Sequence, residues 1–350
     1  MKLLGRTTQQ MTLLVLLFLV GAGIFGALIA REGVGTVLQT IIGFGLLPFC
    51  GFVTISLVNF ALYTYRWYYI LNDGQPKAQR IGFWRLYMHR MSGFAGVNIL
   101  PLSFVGSEPI RVALLAKDGV ATDRATSSVI IDIAFELVAF ILFVGLGVIL
   151  AVTEGVALGN LKILAIVMLG SVALIMAAFY YATVTGKGFF GTMIRVLRLD
   201  RIKRLQKFDS WILSMEGEMT KFMGKKPLIL IWLLFLSLVM TSFKAVEQLF
   251  IAHFLGVDIT FGQAFLTATI PGLALLIPVP SGLGFLEAGN TAIFALLGIP
   301  INAVALVLII RLRDALFVTA GIVHGGRELL QVAKKRLIDV KTAPAIDKKG

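Results

Sequence analysis

The sequence holds very few of the residues that build disulfides and metal sites. Cys50 is the only cysteine among 350 residues, and the three histidines are scattered without ligand spacing. No intrachain disulfide can therefore form, and we expect no metal and no cofactor. The chain also lacks a G-x-x-x-x-G-K-[ST] run, which excludes the P-loop that binds nucleoside triphosphates.

Charged residues are also scarce, and their scarcity argues against a soluble protein. They make up 15% of the chain, against about 25% in an ordinary globular domain. Apolar residues make up 58% and gather in runs of the roughly 20 residues that a helix needs to cross a bilayer. The sequence therefore predicts an all-α, polytopic helical membrane protein. Six uninterrupted spans are predicted, over residues 11–30, 41–65, 125–152, 161–184, 227–254 and 302–323.

The distribution of basic residues predicts how these spans are oriented. The formal net charge is +13, and Lys and Arg concentrate at the N-terminus, at 66–124, at 187–226 and after residue 323. The opposite connections, such as 31–39, hold almost none. By the positive-inside rule we expect a multi-pass protein of the cytoplasmic (inner) membrane with both termini cytoplasmic. No nucleic-acid-binding pattern accompanies the basic residues, so we expect no nucleic-acid partner.

Two stretches, about 92–116 and 261–297, are apolar but contain residues that interrupt helices. We expect a broken or re-entrant helical segment at each. The expected helix breaks are Pro101, Gly106, Pro278, Pro280, Gly282 and Gly284.

The two stretches also predict an internal repeat. The spacing from proline to glutamate is seven residues in both, and the stretches are offset by 179 residues, as are Asp132 and Arg311. Three predicted spans separate them, so the two units would have opposite orientations. Inverted repeats with discontinuous helices are typical of transporters that bind their substrate at the repeat interface. The alternative is that Pro, Gly and Glu recur by chance in a glycine-rich apolar chain.

Residues 1–325 are predicted to form a single transmembrane domain, with one cytoplasmic helical segment inside it and a cytoplasmic tail after it. At about 193–223, apolar residues recur every three to four positions behind a run of Lys and Arg. This pattern indicates a basic amphipathic helix on the membrane surface, and a solvated loop helix fits it equally well. Residues 326–350 are basic and polar, and we expect a disordered tail.

Ionisable groups at membrane depth are costly and need a partner or a hydrated cavity. Asp132 and Glu136 share one helix face near the middle of a predicted span, and Arg311 lies similarly deep in the last span. Arginine suits a phosphate headgroup because its planar fork can bond phosphate through two N–H groups. The candidate substrate-binding residues are Asn98, Glu108, Arg111, Asp132, Glu136, Glu287, Asn290, Arg311, Arg313 and Asp314.

Direct pairing is the alternative to a binding site. Asp132 or Glu136 would then pair with Arg311 or Arg313 only to hold the helices together. A further polar stripe runs along the predicted span at 227–254 and consists of Ser237, Thr241, Lys244 and Gln248.

Two motifs resemble the hallmarks of a known family. The first, N-I-L-P with G-S-E-P-I-R, runs from Asn98 to Arg111, and the second, I-P-V-P-S-G-L-G-F-L-E, runs from Ile277 to Glu287, with Arg311 beyond it. Both are similar to motifs of the lysylphosphatidylglycerol synthase transmembrane region, whose stand-alone relatives are called flippase-like proteins. The resemblance covers roughly residues 10–325. It implies a role in moving a lipid across the membrane or in lipid or lipid-linked glycan synthesis.

We therefore expect a lipid translocase that moves a phosphate-bearing lipid between leaflets, such as a phospholipid or a polyprenyl-phosphate-linked lipid. The synthases carry an aminoacyl-transfer domain after the membrane region, and only a basic tail follows here, so we do not expect an enzyme. An accessory membrane protein and an intramembrane transferase in lipid or lipid-linked glycan synthesis stay open. The expected partners are anionic or phosphate-bearing membrane lipids. The sequence leaves open whether the chain forms a homo-oligomer or works beside a lipid-biosynthetic enzyme.

Overall fold

The computed structural model describes residues 19–99, 108–153, 160–196, 209–224, 227–272 and 282–342. The regular structure in these ranges is helical, with thirteen α-helices and no strand. The all-α prediction is therefore confirmed. The helices are α1 Leu19–Glu32, α2 Val34–Phe44, α3 Leu46–Asn72, α4 Phe83–Ile99, α5 Glu108–Lys117, α6 Thr122–Thr153, α7 Asn160–Val184, α8 Phe189–Val196, α9 Asp209–Met223, α10 Pro227–Phe254, α11 Phe261–Thr269, α12 Phe285–Leu296 and α13 Ala303–Thr342.

Within the ranges that the structure describes, three helices, α3, α6 and α10, are long and apolar enough to cross a membrane. Two bent pairs add up to two further spans: α1 with α2, bent by 85°, and the second half of α7 with α8, bent by 117°. Large apolar side chains such as Leu47, Leu174 and Leu228 are exposed on these helices, as expected where lipid replaces water. The polytopic membrane prediction is therefore confirmed.

The N-terminal part has an additional helix where the sequence predicted a connection, and two glycines separate this helix from its neighbours. The outer connection expected at 31–39 is largely helical, because α2 begins at Val34 and packs against α13 through Val37. Gly33 and Gly45 separate α1, α2 and α3, with φ of 85° and 80°. Only glycine adopts these angles without steric cost, so the chain turns at both positions.

Both predicted helix interruptions fall between described helices, but they are shorter than expected. Helix α4 continues to Ile99, and description resumes at Glu108, where α5 begins. Helix α11 ends at Thr269, and α12 begins at Phe285. Gly282 and Gly284 precede α12 with φ of 60° and 80°. The predicted breaks at Pro101, Gly106, Pro278 and Pro280 lie outside the described residues.

The helix boundaries repeat along the chain. Helices α3, α4, α5 and α6 begin at residues 46, 83, 108 and 122, and α10, α11, α12 and α13 begin at 227, 261, 285 and 303. The differences are 181, 178, 177 and 181 residues. Helix α2 ends at Phe44 and α9 ends at Met223, a difference of 179. These offsets support the internal repeat, which stays a prediction.

Helices α3 and α10 occupy equivalent places in this repeat, and they pack antiparallel. Arg66 near the end of α3 donates to Ser237 near the start of α10, at 2.8 Å. Ser56, ten residues earlier in α3, donates to Glu247, ten residues later in α10, at 2.6 Å. The opposite directions of the two helices agree with the predicted inversion of the units.

Two cytoplasmic predictions are changed by the structure. The basic amphipathic segment expected at 193–223 contains two described helices, α8 and α9, with residues 197–208 outside the description. The apolar side of α9, including Met215 and Met219, packs into a protein core with residues of α6 and α10 rather than facing lipid. The disordered tail expected from residue 326 is wrong as far as residue 342, because α13 continues to Thr342.

Candidate functional site

Asp132 lies at the centre of a buried charge cluster built by four helices. Its Oδ1 accepts a 2.8 Å hydrogen bond from Arg66 Nε. Its Oδ2 accepts from Arg90 Nη1 at 2.8 Å and from Arg111 Nη2 at 2.7 Å. One turn further along α6, Glu136 Oε2 lies 3.3 Å from Arg90 Nη2 and 3.5 Å from Arg66 Nη2. We call these five residues the arginine cluster.

The arginine cluster carries more positive than negative charge. Three guanidinium groups face two carboxylates, so one positive charge is left over. Arg66 and Asp132 are fully buried, whereas 43% of the Glu136 side chain is exposed. Arg111 Nε is buried and has no acceptor among the described residues. The cluster therefore has an open side at Glu136 and an N–H group that can still bind an anion.

The helices on either side of the first interruption position these arginines. Arg90 is on α4, which ends before the interruption, and Arg111 is on α5, which follows it. The Trp67 ring holds Arg111 in place, with the guanidinium carbon 4.0 Å from the ring centre. The Trp67 indole N–H in turn donates to Ser128 Oγ at 3.2 Å. These contacts present the Arg111 fork toward Asp132.

A second cluster joins α3, α10 and α13. Arg313 Nη1 donates to Ser56 Oγ at 2.6 Å and lies 3.0 Å from Glu247 Oε1, while its Nε donates to Asp314 Oδ1 at 2.9 Å. The guanidinium also lies over the Phe52 ring, 4.9 Å from its centre. We call Ser56, Glu247, Arg313 and Asp314 the Arg313 cluster. Here one arginine faces two carboxylates, the reverse of the balance in the arginine cluster.

A buried polar seam runs between these two clusters along the α3–α10 contact. It begins at Arg66 and Ser237 and ends at Ser56 and Glu247, which are about 15 Å apart along either helix. Asn59 Oδ1 and Gln248 Oε1 are buried and have no hydrogen-bond partner within the described part of the chain. The residues of this α3–α10 seam are Ser56, Asn59, Tyr63 and Arg66 on α3 and Ser237, Thr241, Lys244, Glu247 and Gln248 on α10.

The structure contradicts the simple pairing that the sequence suggested between the two broken halves. Asp132 pairs with the arginines of α3, α4 and α5, and Arg311 pairs with Glu287 at 2.5 Å. Glu287 is fully buried, and its other oxygen accepts from the Gly284 N–H at the start of α12. The alternative in which Asp132 or Glu136 pairs with Arg311 or Arg313 is therefore not what the structure shows. These charged residues instead form the arginine cluster, the Arg313 cluster and the separate Arg311–Glu287 pair.

The remaining predicted site residues lie beside these groups. Asn98 donates to the Phe94 carbonyl near the end of α4, and Glu108 is the first residue of α5. Asn290 is buried on α12 and donates to the Leu286 carbonyl, while its Oδ1 has no partner among the described residues. No group of three or more His, Cys, Asp or Glu side chains suited to a metal occurs in the ranges that the structure describes.

Sequence reasoning missed Arg66, Arg90, Ser56 and Glu247 as parts of the charge clusters. Arg66 follows a run of tyrosines that resembles a membrane-interface belt, yet its side chain is fully buried. The sequence does contain a pattern that indicates a polar helix face here, because the polar residues of α3 recur every three or four positions from Ser56 to Arg66. Arg90 carries no such signal, since the sequence around it reads as a cytoplasmic connection.

A histidine pair joins α4, the α5–α6 connection and α13. His89 Nε2 donates to Asp118 Oδ2 at 2.8 Å, and its Nδ1 lies 3.1 Å from His324 Nε2. Burial lowers the pKa of His89 more than Asp118 raises it, and burial also lowers the pKa of His324. Burial alone would raise the pKa of Asp118, but hydrogen bonds from Arg85 and His89 bring it below its ordinary value. Lys117 and Glu328 complete this group.

The apolar helices and their exposed side chains define a multi-pass helical membrane protein. The family model of the lysylphosphatidylglycerol synthase transmembrane region matches residues 12–321. The chain therefore belongs to this family of membrane domains in lipid-related processes, as the two motifs predicted. No curated protein and no solved structure matched the chain.

Proposed function

We propose that this protein moves a lipid with a phosphate-bearing headgroup between the two leaflets of the cytoplasmic membrane. The arginine cluster binds the headgroup while the acyl chains stay in the surrounding lipid. The observation that carries the proposal is the excess of buried guanidinium over carboxylate in that cluster. A buried excess of positive charge is costly unless an anion can neutralise it.

The open side of the arginine cluster gives the headgroup its binding position. Glu136 makes the longest contacts of the cluster and is partly exposed, so a phosphate can compete with it for Arg66 and Arg90. Arg111 contributes its Nε–H, which has no acceptor within the described part of the chain. Each of these bonds joins two charged groups, the strongest kind of hydrogen bond in a site shielded from water.

The α3–α10 seam gives the headgroup a route through the membrane. Its buried amide groups can replace water around a moving polar group over the roughly 15 Å between the clusters. At the far end the headgroup meets Arg313, whose charge is outweighed by Glu247 and Asp314, so the anion is held less strongly there than at the arginine cluster. Rocking of the two predicted repeat units against each other would open the two ends of this route in turn.

From the positive-inside rule we propose that both termini lie in the cytoplasm. Helix α3 would then enter from the outer side at Leu46 and reach the cytoplasmic side at Asn72. Arg66 lies six residues, about 9 Å, from that cytoplasmic end, so the arginine cluster faces the inner leaflet. Labelling of single cysteines with a membrane-impermeant maleimide tests this orientation in a Cys50→Ala background, with Lys187→Cys expected to react from the cytoplasm only.

Liposomes that contain a fluorescent anionic phospholipid test the translocation directly. Dithionite bleaches the outer leaflet, so a translocase lets it reach nearly all of the label. Arg111→Gln removes the charged hydrogen bond from Nε to the headgroup, worth about 1.5–3 kcal/mol, and we expect an exchange rate about 10- to 100-fold lower. Arg111→Lys keeps the charge without the fork and should be intermediate, whereas exposed Lys187→Gln should behave as wild type. Exchange no faster than in empty liposomes would reject translocation and favour the accessory or transferase function.

A further inference from the structure

Two cavities lie end to end along one face of α6. The first, of about 360 Å³, lies at the cytoplasmic end and includes Arg124 and Ser127 in its wall. The second, of about 470 Å³, lies deeper between α6, α7 and α10 and includes Ala134 and Leu142. Arg124 and Leu142 are separated by 18 residues of one helix, so the two cavities together extend over about 27 Å.

The deeper cavity is almost entirely apolar and opens toward lipid. Phe135 on α6, Ala177 on α7 and Leu230 on α10 are among the side chains that line it. Leu142 and Ile231 at its rim are 48% and 61% exposed. Its volume is in the range of pockets that hold small ligands, and its lining, which includes Tyr180, offers a ligand mainly apolar contact.

The shallower cavity is polar and carries charges of both signs in balance. Arg124 and Lys221 contribute two positive charges, and Asp73 and Glu218 contribute two negative charges. Arg124 Nη2 donates to the Asp73 carbonyl at 2.7 Å and thereby fixes the rim, while Lys221 is largely exposed and pairs with Glu218 at 2.8 Å. A headgroup with both a positive and a negative charge is the complement of this set.

The cavities are neighbours along the chain as well as in space. Ile131 lines the polar cavity, and Phe135, one turn later, lines the apolar cavity. Phe222 and Met223 divide in the same way between the two. An elongated molecule that lies along α6 could therefore have one end in the polar cavity and the other in the apolar cavity, with no helix between them.

We propose that these cavities form a binding site for one phospholipid of the inner leaflet whose headgroup carries both a phosphate and an ammonium group. One acyl chain fills the apolar cavity, and the headgroup bridges Lys221 and Glu218. The site is separate from the arginine cluster. Asp132 and Glu136 point roughly 130° around α6 from the cavity residues, at 100° per residue.

The dimensions argue for a lipid chain rather than a protein segment in the apolar cavity. A helix with its side chains is about 10–12 Å across, which is too wide for a cavity of 470 Å³ that extends along about two turns of α6. An acyl chain enters the cavity directly from the hydrocarbon of the bilayer, so none of its CH₂ groups has to cross a polar region to reach the apolar lining.

Photolabelling in liposomes tests the site with two probes, a phosphatidylethanolamine and a phosphatidylglycerol, each with a diazirine in one acyl chain. Ala177→Trp fills the cavity from its open side, and Ala178→Trp, on the neighbouring exposed position of α7, is the matched control. We expect the ethanolamine probe to label peptides of α6, α7 and α10, with labelling at least several-fold lower in Ala177→Trp and unchanged in Ala178→Trp.

The headgroup and the independence of the site are tested in the same experiment. We expect weaker labelling of these peptides by the phosphatidylglycerol probe, and Lys221→Glu should remove the difference between the probes. Arg111→Gln should leave the labelling unchanged even where it slows exchange, which separates this site from the proposed translocation. Equal labelling of the two tryptophan variants, labels spread over all lipid-facing helices, or a crosslinked second chain in the cavity would overturn the proposal.

Discussion

At the scale of single residues, Asp132 connects all parts of the arginine cluster. Its two oxygens contact arginines from three helices, whereas Glu136 makes only two contacts of 3.3 Å and 3.5 Å. A buried charge is tolerated when its partners are complete and becomes strongly destabilising when one partner is lost. Asp132 therefore contributes to the stability of the fold as well as to the candidate site.

Asp132→Asn should destabilise the protein more than any single arginine substitution in the cluster. It leaves three guanidinium groups with one partly exposed carboxylate, and breaking a buried ion pair costs about 3–5 kcal/mol. Unfolding in detergent micelles, followed by circular dichroism, measures the loss. The control is Asp258→Asn, because the Asp258 side chain is 91% exposed. Equal unfolding midpoints for the two variants would contradict the account of the cluster.

The histidine pair predicts a pH dependence of stability. Both histidines have a pKa below the ordinary value of 6.5, so the folded state favours the neutral rings. Their stabilising contribution is complete above pH 6.5 and is lost as the pH falls. We expect a lower unfolding midpoint at about pH 5.5 than at about pH 7.5, and a smaller difference in His324→Gln. An identical pH dependence in that variant would contradict the prediction.

Residue types at membrane depth could be predicted well from the sequence, but their partners could not. Asp132, Glu136 and Arg313 are conspicuous because charge is rare in apolar runs. The arginines that complete the cluster lie beside tyrosines or in a connection rich in basic residues, where positive charge is ordinary. Only the packing of α3, α4 and α5 around α6 makes Arg66 and Arg90 part of a buried site.

At the scale of elements, the crossing of α4 and α13 depends on two glycines. A Cβ added at Gly321 would lie 2.3 Å from the Met91 carbonyl oxygen, and one at Gly325 would lie 3.0 Å from the Ser92 side chain. A backbone atom cannot yield as the end of a side chain can. This contact fixes α4, and with it Arg90, against the last helix.

Gly321→Ala should separate α4 from α13 and lower the unfolding midpoint, because overpacking costs about 1–3 kcal/mol. Gly326 in the same helix has no atom within 4 Å of an added Cβ. Gly326→Ala should therefore be neutral or stabilising, since alanine favours a helix by about 1 kcal/mol over glycine. Thermal unfolding measures the unfolding midpoints of the two variants. Equal destabilisation of both would contradict the close contact of α4 and α13 at Gly321.

Helix positions were predictable where apolar runs are long and uninterrupted. The spans expected at 125–152 and 227–254 match α6 and α10 within a few residues. The failures have local causes. Glycine at positive φ lets the chain turn and restart as α2, and the polar end of α13 stays helical where composition alone indicated disorder.

At the scale of the whole molecule, the two predicted repeat units share a construction with reversed charges. In the first, Arg111 on the short helix pairs with Asp132 on the long helix. In the second, Glu287 on the short helix pairs with Arg311 on the long helix. The net charge of the clusters is reversed as well. The arginine cluster carries an excess of positive charge, the Arg313 cluster carries an excess of negative charge, and the α3–α10 seam lies between them.

If the arginine cluster binds the phosphate of the headgroup, its uncompensated positive charge should favour lipids whose headgroup is anionic overall over zwitterionic ones. The most direct test is the ratio of dithionite-measured exchange rates for anionic and zwitterionic phospholipids with the same acyl chains and label. We expect a ratio well above one for the wild type, and a ratio close to one for Arg111→Gln at the same amount of folded protein. A wild-type ratio of one, or a ratio that Arg111→Gln leaves unchanged, would contradict this expectation.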